Sequence, residues 1–514
     1  MASSLLGIDI GTSGVKAGLF RADGRLVALA HVPCRHDSPR PGWAETPPER
    51  WWRALMEVLK KLADERPGCL GEVGAVGFSA LYPALCALDG AGRPLRSAIL
   101  YCDQRSTEQV KNIARKTSLA GIEKQIGNRV VPGTCSVTSI LWIRDHEPGI
   151  YRRTKVFCHA NSYIGFKLTG RVAMDRTNVS LTGLAAMGRE GCFSASLAQR
   201  YGVDLDKLPP VVESTEVIGR ITAKAARQAG LKQGTPVVMG AGDAVSAAFG
   251  AGLAGVGNIF YAAGTTDCAV LATATPPKDA RFANGAYCTP KLWVSIGTMT
   301  STGAAVEWFA RAFLGAGKTA ADVERLAASA SAGSSGLLFL PYLQGERTPV
   351  WDPEARGVLL GLSLNTSLAN GARAILEGAA LGLREVVETL ESSYNIRGKA
   401  KIIAAGGCTR NKLWMKIKAS ALGRPIRVLK FQESSALGAA IMAGLGTGIY
   451  RTPQAALSAT AGMRSFQTIH PLASWQKIYE QYYPIYRRLY GRLRGELREL
   501  SCVERRFALK KMNV

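Results

Sequence analysis

Histidine is scarce in this chain of 514 residues, with five in all. None of the five has metal-ligand spacing, and the 11 cysteines include no Cys-x-x-Cys pair, which speaks against a structural zinc site. The scattered cysteines read as reduced thiols, so a disulfide-free protein of a cytoplasm is expected. Long apolar runs are missing too. The least polar stretch, AVSAAFGAGLAGVGNIFYAAG (244–264), is rich in Gly and Ala and carries Asn258. Buried core elements are expected there, not a membrane span. At the N-terminus, MASSLLGIDIGTS has no basic region before its apolar residues, and Asp9 interrupts them. No signal peptide is expected. Acidic residues are under-represented, 39 against 64 Lys and Arg, for a net charge of +25. That excess favours anionic partners such as nucleotides, sugar phosphates, nucleic acid or an anionic membrane surface. Much of it lies in YRRLYGRLRGELRELSCVERRFALKKM (486–512), where a solvated helix face is the simplest reading. Neither a membrane nor a nucleic acid is expected as partner.

What is present is a globular composition, 47% apolar and 20% charged, in a chain too long for one core. Helical and strand periods alternate. LLGIDI and VKAGLFRADGRLVALAHV read as three consecutive strands with turns at Gly11–Gly14 and Ala22–Gly24. TPPERWWRALMEVLKKLA (46–63) reads as a helix with Thr46 as N-cap and Pro47 just inside. GNIFYAAGTTDCAVLAT (257–273) repeats the N-terminal layout of strand, small-residue turn and strand, with Gly264-Thr265-Thr266 matching Gly11-Thr12-Ser13. The repeat implies two similar α/β domains, 1–250 and 251–480, each opening with a β-hairpin, followed by a basic C-terminal helix or tail over 481–514. No Pro- or Ser-rich linker separates the domains, which points to a close hinge.

Backbone amides of Gly-Thr turns can bind phosphate oxygens, although each turn alone also reads as an ordinary hairpin. Asp9 is costly inside a strand unless it is paired or near a cation such as Mg²⁺ held between phosphates, or unless it sits exposed at the strand end. Asp243 closes Gly240-Ala241-Gly242-Asp243 at the junction of a strand and a helix. It can take a proton from a substrate hydroxyl, cap the helix, or do both. Gly406-Gly407 follows the strand KIIAA and leads to Asn411, which can read an adenine edge or cap the next helix. Gly315-Ala316-Gly317-Lys318-Thr319 imitates a phosphate-binding P-loop, but Ala312 stands where that motif needs glycine.

In order and spacing these segments resemble the FGGY family of carbohydrate kinases, most closely its xylulokinase branch, over roughly residues 5 to 490. GIDIGTSGVK (7–16) and AAGTTD (262–267) are similar to the two phosphate motifs, and GAGDAVSAAFGAG (240–252) to the catalytic segment. WAETPPERWW (43–52), RPLRSAILYCDQRS (93–106), ILWIRDHEP (140–148), PYLQGERTP (341–349), GVLLGLSLNTSLANGARAILEG (357–378), GGCTRNKLW (406–414) and ESSALGAA (433–440) resemble further family segments. The resemblance implies two actin-like (ribonuclease H-like) domains with a cleft between them, sugar on the first and ATP largely on the second. It implies Asp243 as the base that activates the sugar hydroxyl and Asp9 as the residue that helps hold Mg²⁺, with Thr12 and Ser13 nearby. Gly264, Thr265, Thr266 and Gly303 are implied at the ATP phosphates, and Gly406, Gly407 and Asn411 at the nucleoside. A homodimer is a further implication.

The departures fall on the sugar side. Xylulokinases carry Met-His-Gly after the strand that here ends VGFSA, whereas this chain reads Leu81-Tyr82-Pro83-Ala84, with Pro83 in the histidine's place. Ala244 replaces an asparagine after the catalytic Asp, Ser139 a lysine and Gly371 an apolar residue. Tyr82, Pro83 and Asp103 are the expected pocket contacts. The expectation is an ATP-dependent kinase of a ketose, polyol or sugar acid. A non-catalytic, nucleotide-gated regulator of the same fold is the alternative, and nucleic-acid binding through the C-terminal helix a third reading.

Overall fold

The computed structural model describes residues 4–188 and 192–512, with side chains described as far as residue 503. It divides into two compact units, each drawn from three stretches of chain. The first comprises Met1–Val256, Ala272–Ser295 and Glu433–Ser465, and the second Gly257–Leu271, Ile296–Gln432 and Phe466–Val514.

In the first unit, apolar strands, the inner ones buried on both faces, build a mixed sheet. Its strands are β1 (Ser4–Ile10), β2 (Gly14–Phe20), β3 (Leu26–Pro33), β4 (Val73–Ala80), β5 (Val217–Arg220) and β6 (Pro236–Gly242). Their order is β5-β6-β4-β1-β2-β3. β1 and β2 form the expected hairpin, whose turn closes where the Gly11 amide donates to the Gly14 carbonyl at 2.9 Å. β4 runs parallel to both β1 and β6, so the carboxyl ends of three parallel strands lie side by side. β6 carries a bulge between Val238 and Ala241, where Gly240 has φ +71°. A Cβ there would meet the Phe78 carbonyl at 1.8 Å, so only glycine fits.

The helix predicted over 46–63 runs Pro48–Glu65 and buries Trp51, Leu55, Val58, Leu59 and Leu62 at helical spacing. Thr46 is not its cap. It pairs with Ala98 in a short strand, Glu45–Thr46, and Pro47 holds the cap position without a side-chain hydrogen bond. Its pairing with Ala98 holds Thr46 one residue before the cap position.

The helix Ser434–Gly446 also belongs to the first unit and packs on the backbones of β1 and β4. It crosses the helix Asp243–Gly250 through two glycines. A Cβ on Gly250 would lie 2.0 Å from the Ser434 carbonyl, and one on Gly438 2.0 Å from the Ser246 carbonyl.

Six of the seven strands of the second sheet are β7 (Asn258–Ala263), β8 (Asp267–Thr273), β9 (Trp293–Met299), β10 (Lys401–Ala405), β11 (Ile426–Leu429) and β12 (Phe466–Ile469). These strands run in the order β9-β8-β7-β10-β11-β12. β7 and β8 repeat the β1–β2 hairpin, and β10 lies parallel to β7 as β4 does to β1. The P-loop imitation is a turn before the helix Ala320–Ala327, where Thr319 and Asp322 form a capping box. The basic C-terminal segment is one helix, Ala473–Met512, not a separate tail from 481. Tyr479, Tyr483, Tyr486 and Leu489 bury one face of it in the core of the second unit. Tyr490 and Arg498 bind Asp352 from the same helix, while residues 513–514 lie outside the described residues. No helix among the described residues is long and apolar enough to cross a membrane, and none of the eleven cysteines is in a disulfide.

Glycine substitutions should split by sign. Gly438→Ala forces two helices apart and should cost about 1–3 kcal/mol in urea unfolding. Gly491→Ala adds a methyl to open space inside a helix and should stabilise by about 0.5–1 kcal/mol.

Candidate active site

The carboxyl ends of β1, β4 and β6 gather the reactive groups of the first unit. Asp9 on β1 stands opposite Ser79 on β4, and the Ser79 hydroxyl donates to Asp9 Oδ1 at 2.7 Å. Asp243 follows β6 directly and opens the helix Asp243–Gly250, with Oδ1 accepting from the Ala244 amide at 2.7 Å. Burial raises the carboxyl of Asp9, opposed by the Ser79 hydrogen bond and by Lys16. Lys16 is itself bound to Glu433 at 3.0 Å. Burial pushes the carboxyl of Asp243 up to about 7, and the negative charge of Asp9 adds to the shift. Two carboxyls raised by burial, with the charge of Asp9 adding to the shift of Asp243, form an environment that a cation relieves.

Behind Asp243 lies a buried polar network that the sequence reading did not single out. The Gly242 amide donates to Thr177 Oγ1 at 2.9 Å, and the Thr177 hydroxyl donates to Asp175. Asp175 also accepts from the Thr177 and Asn178 amides and from the Asn161 and Asn178 side chains. His159 Nδ1 lies 2.7 Å from Asn178 Oδ1, and its Nε2 2.9 Å from Ser136 Oγ. Burial lowers His159 to about 4, so it is neutral, donating to Asn178 and accepting from Ser136. The signal in the sequence was the polar run MDRTNVS (174–180) between apolar elements. The network fixes the backbone one residue before the catalytic candidate.

On the other flank, the Tyr82 ring lies against Gly242, where a Cβ would come within 2.2 Å of Tyr82 Cε1. Pro83 is buried beside it, while Thr12 and Ser13 sit in the partly exposed hairpin turn. Asp103 is taken up elsewhere. Its oxygens accept from the Ala44 amide at 2.6 Å, from the Arg105 amide and from two guanidinium nitrogens of Arg105. The guanidinium carbon of Arg105 stacks 3.6 Å from the Trp43 ring centre. Asp103 thus anchors its own loop.

In the second unit, the Gly264–Thr266 turn is partly exposed and braced from beneath. Asp267 accepts from the Gly264 amide at 3.2 Å and from the Tyr261 hydroxyl, and it pairs with the fully buried Lys418 at 3.4 Å. Gly303 and Gly406 pack against the backbone on either side of this turn. A Cβ on Gly303 would lie 2.4 Å from the Gly264 carbonyl, and one on Gly406 2.3 Å from the Ala263 carbonyl. The Ala304 amide donates to the Thr265 carbonyl at 3.0 Å. Gly407 is exposed, with open space where a side chain would stand. Asn411 caps the helix Lys412–Leu422, its Oδ1 accepting from the Trp414 amide at 2.7 Å. Glu346, within PYLQGERTP, was also overlooked. It accepts from the Thr300 and Arg347 amides at 2.7 and 2.8 Å, and burial pushes its carboxyl up to about 7. It steadies the segment that leads into Gly303.

Two models of one family match the chain in succession, the N-terminal domain over residues 4–250 and the C-terminal domain over 259–447. The chain belongs to the FGGY family of carbohydrate kinases. It is 28% identical over 483 residues to a xylulose kinase of Staphylococcus epidermidis, covering 94% of this chain and 95% of that one. Against a gluconokinase of Bacillus subtilis it is again 28% identical, covering 87% and 88%. The crystal structure of a xylulose kinase from Rhodospirillum rubrum superposes with a TM-score of 0.87 at 31% identity, covering 96% of this chain and 99% of that one. The fold is therefore the two-domain, actin-like FGGY fold. As an FGGY kinase the chain is an ATP-dependent phosphotransferase acting on a hydroxyl group, which sets aside the non-catalytic regulator.

The site yields two stability predictions. Folded Asp243 keeps its proton up to about pH 7, whereas an unfolded aspartate loses it near 4. The folded state binds more protons in that window, so this group's contribution to stability falls as pH rises through it. Asp243→Asn should therefore raise the melting temperature of the ligand-free protein at pH 8, by the equivalent of about 4 kcal/mol. The gain should vanish near pH 4, and equal melting temperatures at pH 8 would contradict it. Asp267→Asn leaves the Lys418 ammonium buried without its counter-charge and should cost about 3–5 kcal/mol in denaturant unfolding.

Proposed function

We propose that this kinase transfers the γ-phosphate of MgATP to a hydroxyl of a ketose, polyol or sugar acid, with Asp243 as general base. The observation that carries this reading is a carboxyl held near neutrality at the junction of β6 and its helix, beside a second carboxylate. In the transfer, the substrate hydroxyl gives its proton to Asp243 as its oxygen bonds to the γ-phosphorus. The bond to the β,γ-bridging oxygen breaks and ADP leaves with those electrons.

Asp9 and Asp243 suit a divalent cation, which takes one or two carboxylates and completes its shell with phosphate and water. No cluster of three or more His, Cys, Asp or Glu competes for it among the described residues. Such a cation supplies charge neutralisation, and Asp9 is the residue to hold it. Thr12 and Ser13, with Gly264, Thr265 and Thr266, offer turn amides for phosphate oxygens. Gly303 and Gly406 let the backbone close around the second turn, and open Gly407 leaves room for a flat nucleoside. Asn411 has its oxygen committed to the helix cap, so any contact with the base falls to its amide nitrogens.

Tyr82, Pro83 and Ala244 frame the acceptor side around Asp243. The xylulose kinases among the relatives favour a ketose first, and the gluconokinase makes a sugar acid the next class to test. Asp103, engaged by the Ala44 amide and by Arg105, is not among the groups that frame this pocket.

A panel of ketoses, polyols and sugar acids, read by coupled ADP detection, should show one class raising ADP release well above the background rate. Asp243→Asn should bind ATP and lower turnover by roughly 10²–10⁴-fold. Near-normal turnover in that variant would overturn the assignment.

A further inference from the structure

The basic helix Ala473–Met512 supplies none of the groups placed at the site above, yet three of its side chains converge on one carboxylate. Tyr490 donates to Asp352 Oδ2 at 2.6 Å, and Arg498 binds the same oxygen through Nη2 at 3.0 Å and Nε at 3.2 Å. Arg494 Nε lies 3.6 Å from it. Asp352 is only 3% exposed, whereas both arginines are half exposed. The ring of Tyr342 meets that of Tyr490 edge-on, with centres 5.5 Å apart.

Asp352 closes a tight loop with Glu346, each donating its amide to the other's carbonyl at 2.9 Å. The loop thus carries a buried carboxyl on each leg. Asp352 grips the helix, and Glu346, 4% exposed, takes the Thr300 amide at 2.7 Å. The Thr348 amide donates to the Thr298 carbonyl at 3.0 Å and fastens the loop to the end of β9. From there the chain passes directly to Gly303 and Ala304, and the Ala304 amide holds the Thr265 carbonyl at 3.0 Å. The Cys408 thiol donates to the neighbouring Gly264 carbonyl at 3.2 Å. Both peptides are planar and trans, so each N–H points opposite to its C=O. The amides of Thr265 and Thr266 therefore face away from the groups that hold the carbonyls. All these residues belong to the second unit.

We propose that Arg494 and Arg498 are positioning residues for ATP. Through Asp352 and Glu346 they fix the segment Thr300–Ala304, and with it the direction of the Thr265 and Thr266 amides. The inference rests on the phosphate role given to that turn under the proposed function. A turn whose amides are aimed before the nucleotide arrives loses less freedom on binding. In this role the helix acts through one buried carboxylate and not by attracting the nucleotide with its charge.

The test is calorimetric titration of the full chain with MgATP and with adenosine. Wild type is compared with Arg494→Ala/Arg498→Ala and with Arg488→Ala/Arg492→Ala. The second pair removes the same charge from the same helix, at exposed positions that do not pair with Asp352. Arg494→Ala/Arg498→Ala should weaken ATP roughly 3–30-fold and leave adenosine within about twofold. Arg488→Ala/Arg492→Ala should change neither. Glu346→Ala should weaken ATP in the same selective way, and Glu346→Gln, whose side-chain oxygen can accept the same amides, should restore it. A merely structural role would lower melting temperatures without separating ATP from adenosine. The inference is overturned if Arg494→Ala/Arg498→Ala binds ATP within about twofold of wild type, if adenosine weakens as much as ATP, or if Arg488→Ala/Arg492→Ala weakens ATP equally. Should the first variant not fold, the Glu346 pair decides, and wild-type ATP affinity in Glu346→Ala overturns the inference. Gly303→Ala tests the turn itself, because its Cβ would lie 2.4 Å from the Gly264 carbonyl and displace it. If that variant weakens ATP and the arginine variant does not, the inference alone falls. If neither does, the phosphate role of the turn falls with it.

Discussion

Asp9 and Asp243 repel each other in a corner from which water is largely removed, and much of the first unit exists to hold them there. Parallel pairing of β4 with β1 and β6 brings the two strand ends together. The Gly240 bulge aims the end of β6, and the Asp175–Thr177 network pins the Gly242 amide. Beneath, the glycine crossing of Asp243–Gly250 with Ser434–Gly446 leaves no slack for the helix that Asp243 opens. A fold optimised for stability alone would separate or neutralise these carboxylates. Holding them together stores an attraction for positive charge, which suits a phosphoryl-transfer enzyme.

The second hairpin shows the contrast. β7–β8 repeats the geometry of β1–β2, yet its carboxylate is closed off. Asp267 is engaged by Lys418, Tyr261 and the Gly264 amide. In one copy of the motif the carboxylate has a serine hydroxyl and no direct cation, and in the other it uses its charge to stiffen a turn. The two hairpins share a layout and differ in the buried lysine that engages one of their carboxylates.

The hairpins and the strand–helix junction at Asp243 were legible because their causes are local: apolar alternation, small-residue turns, and an acidic residue where a strand ends. The partners of those residues were not. Lys418 lies far along the chain from Asp267, and nothing near either position announces the pairing. The Asp175 network was visible only as polar letters in an apolar setting, a pattern that a loop also produces. Thr46 had the composition of a cap, but a cross-strand partner at Ala98 claimed its backbone. Asp103 had the look of a pocket carboxylate, and Arg105, two residues on, absorbs it. Charge alone marked the C-terminal helix as solvated, while its tyrosines, spaced to one face, carry it into the core.

The chain crosses between its two units five times, because each unit is assembled from three stretches. The helix Ser434–Gly446 falls within the sequence matched by the C-terminal domain model, yet it lies under β1 and β4 in the first unit. A fragment cut at residue 250 would expose the backs of Gly7 and Gly77, two glycines shaped to receive that helix. Inheritance by halves is therefore closed to this protein. Recombination at the apparent domain boundary would exchange the floor of one unit along with the body of the other, so the two must change together or not at all.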